Sequence, residues 1–381
     1  MCVYTWQMML DNYGTWLEID ISILKKNFAL LRKFSNSVVM PVVKANAYGH
    51  GLERVASAFE EAGAEWFGVA RIEEALILRE AGVKAKILVL GYTPPNRIPH
   101  ALQENISLTV YDQSVAVAYA DSSKGFEKQI NIHVKVETGM GRLGIPIKDA
   151  INFIDYIQNQ ELLSLEGVFT HFACADEPEK NTTDNQIAEF NKFLDELDSK
   201  GSTPEFVHAA NSAGTINFPK ARFNLIRSGI ALYGHLPSRQ TTLPEGMRSA
   251  ISWKTRLISI KEFPPNHGIS YSHTYHTKTT ERIGTIAVGY GDGFRRQPGN
   301  YVLLHGKKIP IIGNVCMDQC MINLNGIADP KIGDEVTIIG VQNGAEISTT
   351  DIAEKWNTIN YEVLCGLAAR MPRNYLNTKK I

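Results

Sequence analysis

Short apolar runs alternate with amphipathic stretches over the first two-thirds of the chain. The runs are rich in β-branched residues and end at turn residues, which is typical of buried strands. Eight such strands are predicted, at residues 38–44, 66–70, 86–92, 106–111, 130–136, 165–172, 205–211 and 223–229. The stretches between them have helical periodicity, and Gly63, Gly82 and Gly201 mark predicted helix ends.

Eight β–α repeats predict an α/β fold, a (β/α)8 TIM barrel. The alternative is an open, doubly wound sheet. We favour the barrel because no glycine-rich dinucleotide fingerprint follows the first strand, where the sequence is NAYGHG.

The pattern changes at about residue 245, where short strands separated by turn signals predict a C-terminal all-β domain closed by one last helix over 349–368. We therefore expect a barrel domain at residues 12–245 and a β domain at residues 246–381. Residues 1–11 add a strand to the β domain in this interpretation.

Composition and charge exclude several other classes of protein. The chain has 381 residues and a formal net charge of −1, so it lacks the basic excess of a nucleic-acid-binding protein. No apolar run reaches the ~20 residues that a membrane helix needs, and the N-terminus has no features of a secretory signal. Five scattered cysteines predict neither a disulfide framework nor a zinc site. A cytoplasmic protein is expected.

Polar residues stand at the carboxyl ends of the predicted strands, where barrel enzymes carry their catalytic groups. They are Lys44, Lys135, His171, Asn211, Ser212 and Arg227. A lysine facing a barrel interior is costly unless it is paired or chemically used. Lys44 therefore suggests Schiff-base chemistry, since burial favours the neutral amine.

The loops after the seventh and eighth strands are where barrels usually bind a phosphate. Asn211, Ser212, Gly229 and Ile230 lie in these two loops. A Schiff-base lysine with a phosphate site points to pyridoxal 5′-phosphate (PLP), and Arg227 would then face the pyridine nitrogen.

A metal-dependent hydrolase is the rival interpretation of the same strands, with His133, His171 and His208 as ligands beside a carbamylated Lys135. It lacks a His-x-His pair on the first strand and gives no role to Lys44 or Arg227. We expect no metal.

The motifs of the chain resemble those of bacterial alanine racemase, in order, from residue 15 to residue 375. They are VVKANAYGHG (42–51), KVETGMGRLG (135–144), THFACADE (170–177), AANSAG (209–214), RSGIALYG (227–234), SYSHTY (270–275), VGYGDGFRR (288–296), GNVCMDQ (313–319) and YEVLCGLAARMPR (361–373). The resemblance implies a fold-type III PLP enzyme that works as a homodimer with active sites shared between the chains.

The resemblance also implies a role for each site residue. Lys44 would hold PLP, Arg227 would contact its ring nitrogen, and His171 would support the ring. The phosphate would be bound by Tyr48, Asn211, Ser212, Gly229, Ile230 and Tyr361. Arg142 would contact the phenolic oxygen, and a carbamylated Lys135 would hold Arg142. The partner chain would supply Tyr271, Tyr290, Met317 and Asp318.

The implied reaction is racemisation of L-alanine and D-alanine by two bases, Lys44 and Tyr271, which supplies D-alanine for cell-wall peptidoglycan. The alternatives are a racemase of serine or of broad specificity, and a PLP carrier without catalysis. The chain departs from the family pattern at Glu137, Ser228, Ser272, His273 and Asn360. These departures affect the expected substrate preference more than the chemistry.

Overall fold

The computed structural model describes residues 13–378, which divide into two compact units. The barrel unit is Ile23–Arg248, and the β unit comprises the described residues before Ile23 and from Ser249 onward. The first strand, β1 (Thr15–Asp20), belongs to the β unit. The division of the chain at 12–245 and 246–381 remains our proposal, and the strand expected within residues 1–11 lies outside the described residues.

Eight parallel strands form the core of the barrel unit. They are β2 (Val38–Pro41), β3 (Trp66–Val69), β4 (Lys86–Val89), β5 (Ile106–Val110), β6 (Ile130–Glu137), β8 (Leu163–Phe169), β9 (Phe206–His208) and β10 (Leu225–Ser228). A two-residue strand, β7 (Ile145–Pro146), pairs with the end of β6. All eight of these barrel strands, without β7, lie within a few residues of the predicted positions.

In the barrel unit, helices alternate with these strands. They are α1 (Ile21–Ser35), α2 (Leu52–Glu61), α3 (Ile72–Glu80), α4 (Ile98–Gln103), α5 (Gln113–Ser122), α6 (Ile147–Gln158), α7 (Thr182–Ser199) and α8 (Ser212–Asn217). Gly63, Gly82 and Gly201 follow α2, α3 and α7 with φ of 95°, 89° and 65°. The left-handed conformation that ends these helices is the reason for glycine there.

Parallel pairing closes the strands into a barrel. Strands β3, β4, β5, β6, β8 and β9 pair in that order, and β10 pairs with β2. A bridge between Val42 and Gly68 joins β2 to β3, and the Arg227 N–H donates to the Ala210 carbonyl at 2.9 Å, which joins the ends of β9 and β10. The predicted (β/α)8 barrel is therefore confirmed, and the open doubly wound sheet is wrong.

The β unit is built on a long antiparallel sheet. Its further elements are β11 (Ile251–Phe263), β12 (Gly268–Ile269), β13 (Tyr275–His276), β14 (Glu281–Ile286), β15 (Tyr301–Leu304), β16 (Lys307–Ile312), β17 (Cys320–Asn323), β18 (Glu335–Gln342), β19 (Ala345–Ile347), α9 (Thr349–Lys355), α10 (Asn360–Cys365) and β20 (Arg373–Leu376). Strands β11, β14, β17, β16, β15 and β18 pair in order, and β18 pairs again with β11. These six strands thus form a closed ring, and the predicted C-terminal all-β domain is confirmed.

The single closing helix predicted over 349–368 is wrong, because the segment forms two helices. Helix α9 starts at a Ser348 cap whose side chain accepts the Asp351 N–H. Asn357 then adopts a left-handed conformation with φ of 51°, and α10 begins three residues later. A helix cannot continue through a left-handed residue, and asparagine tolerates this conformation better than most residues.

Strand β1 pairs antiparallel with β11 and parallel with β20. The sequence analysis did not identify this strand. Within residues 13–378, no helix is both long enough and apolar enough to cross a bilayer.

Candidate active site

The segment after the first barrel strand is a left-handed turn that begins at Lys44. Ala45, Asn46 and Ala47 have φ of 52°, 55° and 53°, and each such residue costs roughly 1–2 kcal/mol. Side chains hold the turn, since the Asn46 Oδ1 accepts the Leu52 N–H at 2.9 Å and Glu74 accepts the Ala45 N–H at 2.7 Å. Strain of this kind clusters at functional sites, so the turn fixes Lys44 where the barrel strands end.

Tyr48, the last residue of the turn, lies against the backbone after β10. A Cβ built on Gly229 would lie 2.3 Å from the Tyr48 hydroxyl oxygen, so only glycine fits there. The Tyr48 ring packs on the Tyr233 ring at a centroid distance of 5.0 Å. The structure therefore brings Tyr48 and Gly229 together, although they are far apart in the sequence.

Hydroxyl and amide groups from the ends of β9 and β10 meet beside this contact. The Ser212 Oγ accepts the N–H groups of Gly229 at 3.0 Å and Ala231 at 3.2 Å, and it lies 3.1 Å from the Ser228 Oγ. Asn211 caps helix α8 by accepting the Gly214 N–H at 2.8 Å, and Ile230, between Gly229 and Ala231, is fully buried. The predicted phosphate-binding residues of the barrel unit lie together, and Ser228 adds a hydroxyl to them.

Arg227 is a buried cation at the end of β10. Its NH1 donates to the His208 Nδ1 at 2.7 Å, and its NH2 donates to the carbonyls of Thr170 at 2.8 Å and Ala209 at 2.9 Å. Within residues 13–378, no carboxylate lies at ion-pair distance from this guanidinium, and no acceptor contacts its Nε. Burial lowers the pKa of Arg227 to about 9, so the side chain still carries its charge at neutral pH.

His171 follows β8 and accepts a hydrogen bond from the Arg227 NH2 at its Nδ1, at 3.1 Å. Because a guanidinium only donates, the His171 Nδ1 carries a lone pair and the Nε2 carries the proton. Burial, and then the neighbouring cations, lower the pKa of His171 well below its ordinary value. Gln186 on α7 donates to the His171 carbonyl at 3.0 Å, which fixes the loop.

Lys135, near the end of β6, lies among other cations. Burial, and then the charges of Arg142, Arg227 and Lys44, together lower the pKa of its amine to about 8, against the opposite effect of Glu137. Its Nζ lies 5.9 Å from the centre of the Phe169 ring. Four basic side chains thus act on one another at the mouth of the barrel, which favours anionic groups in their midst.

Glu137 shapes the turn that carries Arg142. Its carboxylate accepts the backbone N–H groups of Gly139, Met140, Gly141 and Arg142. Burial alone would raise the pKa of Glu137, but these hydrogen bonds hold it below its ordinary value. Glutamate in place of the commoner aspartate therefore still organises this turn.

These observations fit PLP. The phosphate has a cradle that a Cβ on Gly229 would fill, and the pyridine nitrogen, an acceptor, has a buried donor in Arg227. The phosphate and the phenolic oxygen are anionic groups, which suits the surplus of cations around Lys135. Lys44 supplies the primary amine that PLP enzymes use for covalent attachment.

Four of the predicted residues lie close together in the β unit. Tyr271 is held by the Asn314 side chain, which donates to its carbonyl at 2.7 Å. Tyr290 donates its N–H to the Cys316 carbonyl at 3.0 Å, and Gly291 donates to the Met317 carbonyl at 2.9 Å. The segment around Tyr290 is therefore fastened by its backbone to the segment that carries Met317 and Asp318.

Arg370 was not identified from the sequence, although it joins these two segments. It donates through Nε to Asp292 at 2.8 Å and through NH2 to Asp318 at 2.7 Å. Asp292 in turn accepts the Gly289 N–H at 3.0 Å, directly before Tyr290. Tyr361 lies in the same unit, in the first turn of α10 and half-buried.

Two of the three histidines considered as metal ligands bond to each other, and the third, His171, bonds to Arg227. The His133 Nδ1 lies 2.8 Å from the His208 Nε2, and the other nitrogen of His133 contacts Glu166. In the part of the chain that the structure describes, no group of three or more potential ligands is arranged to hold a metal ion. Glu166, a charged residue that is buried within β8, was not predicted, because nothing in its local sequence distinguishes it from an exposed glutamate.

Comparison with known proteins adds to this geometry. The family model "Alanine racemase, N-terminal domain" matches residues 19–237, and "Alanine racemase, C-terminal domain" matches residues 250–375. Alanine racemase of Halothermothrix orenii is 42% identical over 367 residues, which are 95% of this chain and 97% of the relative.

Solved structures of racemases have the same fold as this chain. Alanine racemase from Bacillus anthracis, crystallised with bound L-Ala-P, is 41% identical with a TM-score of 0.90 and 96% coverage of both chains. A histidine racemase from Leuconostoc mesenteroides is 29% identical with a TM-score of 0.88, covering 96% of this chain and 99% of its own. The chain belongs to the alanine racemase family, whose members are PLP-dependent enzymes that interconvert L-alanine and D-alanine.

Proposed function

We propose that Lys44 attaches PLP and that Lys44 and Tyr271 are the two bases of alanine racemisation. PLP, when bound, withdraws electrons from the substrate Cα and so makes its α proton acidic. The Lys44 amine and the Tyr271 phenol oxygen then act on opposite faces of the substrate. One removes the α proton and the other delivers a proton, which inverts the configuration.

The observation that carries this proposal is the environment of Arg227. A carboxylate at this position would keep the pyridine nitrogen protonated, whereas a guanidinium has hydrogens to donate and no lone pair to accept one. An unprotonated ring stabilises negative charge on the substrate less strongly. Prompt reprotonation at Cα is then favoured over transamination, as a racemase requires.

We infer that the groups around Ser212 bind the PLP phosphate. We assign Tyr48, Ser212, Gly229 and Ile230 to the phosphate, with Asn211 beside them, and we assign Tyr361 of the β unit to it through the family resemblance alone. Support comes from the close approach of Gly229 to Tyr48 and from the two backbone N–H groups that converge on the Ser212 Oγ. Backbone N–H groups and hydroxyls are the donors that bind phosphate in barrel loops.

Arg142 and Lys135 belong to the cluster of basic side chains that favours anionic groups. We assign Arg142 to the phenolic oxygen of PLP. Lys135 is a candidate for carbamylation, since its lowered pKa of about 8 makes a neutral amine available to carbon dioxide. Carbon dioxide adds to the amine nitrogen, the proton leaves to water, and the resulting carbamate would offset the charges of Arg142 and Arg227.

We further infer a homodimer with shared active sites. Tyr271, Tyr290 and Met317 are 66%, 43% and 54% exposed, and clustered exposed apolar side chains mark an interaction surface. In a dimer, Tyr271 would supply the second base to the partner, Met317 and Asp318 would line the partner's substrate pocket, and Tyr290 would narrow its entrance.

Alanine is the proposed substrate, and D-alanine for peptidoglycan is the proposed product in the cell. The four cysteines within residues 13–378 are free thiols, which suits a cytoplasmic location. Serine, or a broad range of amino acids, remains the alternative, because a small pocket rejects an added hydroxyl only weakly. A histidine racemase of known structure also shares this fold. A PLP carrier without catalysis would have no use for the β unit and its exposed Tyr271.

Borohydride reduction of the purified enzyme tests the attachment site. We expect the visible absorption band to bleach and peptide mass mapping to place the reduced cofactor on Lys44. Lys44→Ala should lose the band, whereas Lys128→Ala, which replaces an exposed lysine, should keep it. Attachment to another lysine would overturn the assignment.

Mixing two inactive variants tests the shared site. Lys44→Ala and Tyr271→Phe should each lose racemisation, and their heterodimer should recover part of it because one of its two sites is intact. Absence of recovery after demonstrated subunit exchange would rule out Tyr271 from the partner chain.

A further inference from the structure

A line of buried polar side chains leads away from Arg227 through the barrel interior. The Arg227 NH1 lies 2.7 Å from the His208 Nδ1, the His208 Nε2 lies 2.8 Å from the His133 Nδ1, and the His133 Nε2 lies 3.2 Å from the Glu166 Oε2. All four side chains are buried. We call Arg227, His208, His133 and Glu166 the buried relay.

The chemistry of its two ends fixes the direction of every hydrogen bond in the relay. A guanidinium only donates and an ionised carboxylate only accepts. The His208 Nδ1 must therefore carry a lone pair, which leaves its Nε2 to donate to the His133 Nδ1. The His133 Nε2 then donates to Glu166. Both rings are neutral Nε2–H tautomers, in agreement with their pKa values, which burial lowers.

Glu166 is held in its ionised form. Burial raises the pKa of its carboxyl, but hydrogen bonds from His133, Lys86 and Ser107 lower it to about 2. The Lys86 Nζ lies 2.8 Å from the Glu166 Oε1 and the Ser107 Oγ lies 2.5 Å from the Oε2. The end of the relay opposite Arg227 is thus a fixed acceptor.

The surrounding packing leaves the relay little freedom. A Cβ on Gly167 would lie 2.4 Å from the His133 Nδ1, so that ring occupies the space that only a glycine leaves open. The His208 ring stacks on Phe169 at 4.7 Å, with an interplanar angle of 7°. The Lys86 Nζ sits 5.0 Å from the Trp66 ring centre and 4.9 Å from that of Phe206.

We propose that Glu166 is a positioning residue, which sets the tautomers of His133 and His208 so that a lone pair, and not an N–H group, faces Arg227. This inference rests on the proposed function in one respect, namely that Arg227 contacts the cofactor. If Glu166 lost its charge, either ring could reverse its tautomer. The N–H group of His208 would then oppose the guanidinium, and Arg227 would lose its orientation toward the pyridine nitrogen.

Nitrogen-15 NMR of histidine-labelled enzyme without PLP tests the relay itself. His133→Gln and His208→Gln assign the two sets of ring signals. We expect both rings to be neutral with the proton on Nε2 between about pH 6 and pH 8. An Nδ1–H tautomer or an imidazolium at His208 would overturn the proposal. This outcome does not depend on cofactor binding or activity.

Glu166→Gln then tests the effect on the site, with Glu60→Gln as the matched control. Glu60 on α2 also accepts two hydrogen bonds, from the N–H groups of Lys84 and Ala85 at 2.7 Å each, and it has no link to the relay. We expect Glu166→Gln to mix the tautomers of His208, weaken PLP binding about tenfold and raise the share of transamination. Glu60→Gln should reduce thermal stability and change neither readout.

Equal behaviour of the two variants in PLP affinity and reaction partition would reduce Glu166 to a structural role and overturn the proposal. Failure of the wild-type enzyme to bind PLP would instead refute the proposed function, while the NMR result would still decide the tautomers.

Discussion

Gly229 and Tyr48 approach so closely that no side-chain carbon fits between them. A Cβ on Gly229 would lie 2.3 Å from the Tyr48 hydroxyl oxygen and 2.8 Å from the ring carbon that bears it. The Tyr48 ring is held in place, because it packs on the Tyr233 ring. Tyr48 also lies in the left-handed turn that begins at Lys44. This contact connects the residue proposed to attach the cofactor with the groups proposed to bind its phosphate.

Gly229→Ala should therefore displace Tyr48 and weaken PLP binding by about tenfold or more, since overpacking typically costs ~1–3 kcal/mol. Absorbance titration of the apoenzyme with PLP measures the change. Gly82→Ala is the control, because Gly82 has φ of 89° and no atom within 4 Å of an added Cβ. The control should lose stability and keep its PLP affinity. Equal affinity in both variants would contradict the phosphate assignment.

Arg227→Glu should change the type of reaction. A carboxylate that faces the pyridine nitrogen would keep it protonated and prolong the life of negative charge on the substrate. We expect racemisation to fall by at least about 100-fold, and the ratio of transamination to racemisation to rise. Pyruvate and D-alanine formed from L-alanine give that ratio. An active variant with the wild-type ratio would contradict the role given to Arg227.

Lys135 should give a pH-dependent signal. The neutral amine reacts with carbon dioxide, and its fraction rises as the pH passes through about 8. Carbon-13 bicarbonate should therefore produce a carbamate signal in NMR spectra that is stronger at about pH 9 than at about pH 6.5. Lys135→Ala should lack the signal and Lys128→Ala should retain it.

The same lowered pKa predicts how stability changes with pH. The folded state releases the Lys135 proton near pH 8, whereas the unfolded chain releases it near the ordinary value of 10.5. Below pH 8 the folded state bears the full cost of a buried charge, and that cost is relieved as the pH rises from 8 to 10.5. In buffers free of carbon dioxide, Lys135→Met should thus stabilise the protein most at neutral pH. A gain that grows between pH 8 and 10.5 would contradict this sign.

Arg370→Met should loosen the segments that carry Tyr290 and Asp318, because it removes the hydrogen bonds to Asp292 and Asp318. We expect KM for alanine to rise by roughly 3–10-fold, with a smaller fall in kcat. Arg282→Met is the control, since Arg282 donates to the Ile327 carbonyl at 2.7 Å in the same unit. Unchanged KM in Arg370→Met would show that the two segments hold their places without Arg370.

The sequence predicted the barrel well because its strands are buried on both faces and stand out as apolar runs. Lys44, Arg227 and Ser212 could be found because polar residues at strand ends break that pattern. The buried relay could not be found in this way. Glu166 looks like an ordinary charged residue in the sequence, and only the barrel brings it to His133, 33 positions earlier.

Two other features of the fold give no signal in the hydrophobic pattern of the sequence. Strand β1 is stabilised by pairing with β11 and β20, which lie more than 200 residues away in the sequence. The break between α9 and α10 depends on the backbone of Asn357, which helical periodicity does not reveal. The residues of the β unit were assigned through the family resemblance, because exposed side chains such as Tyr271 and Met317 give no burial signal in the sequence.

Chiral chromatography of a panel of L-amino acids, incubated with the PLP-loaded enzyme, tests the central claim most directly. We predict that D-alanine dominates the products, and that Lys44→Ala and Tyr271→Phe both abolish it. Dominance of D-serine or another D-amino acid would contradict the substrate assignment. Absence of any D-isomer from enzyme with PLP bound at Lys44 would contradict racemisation itself.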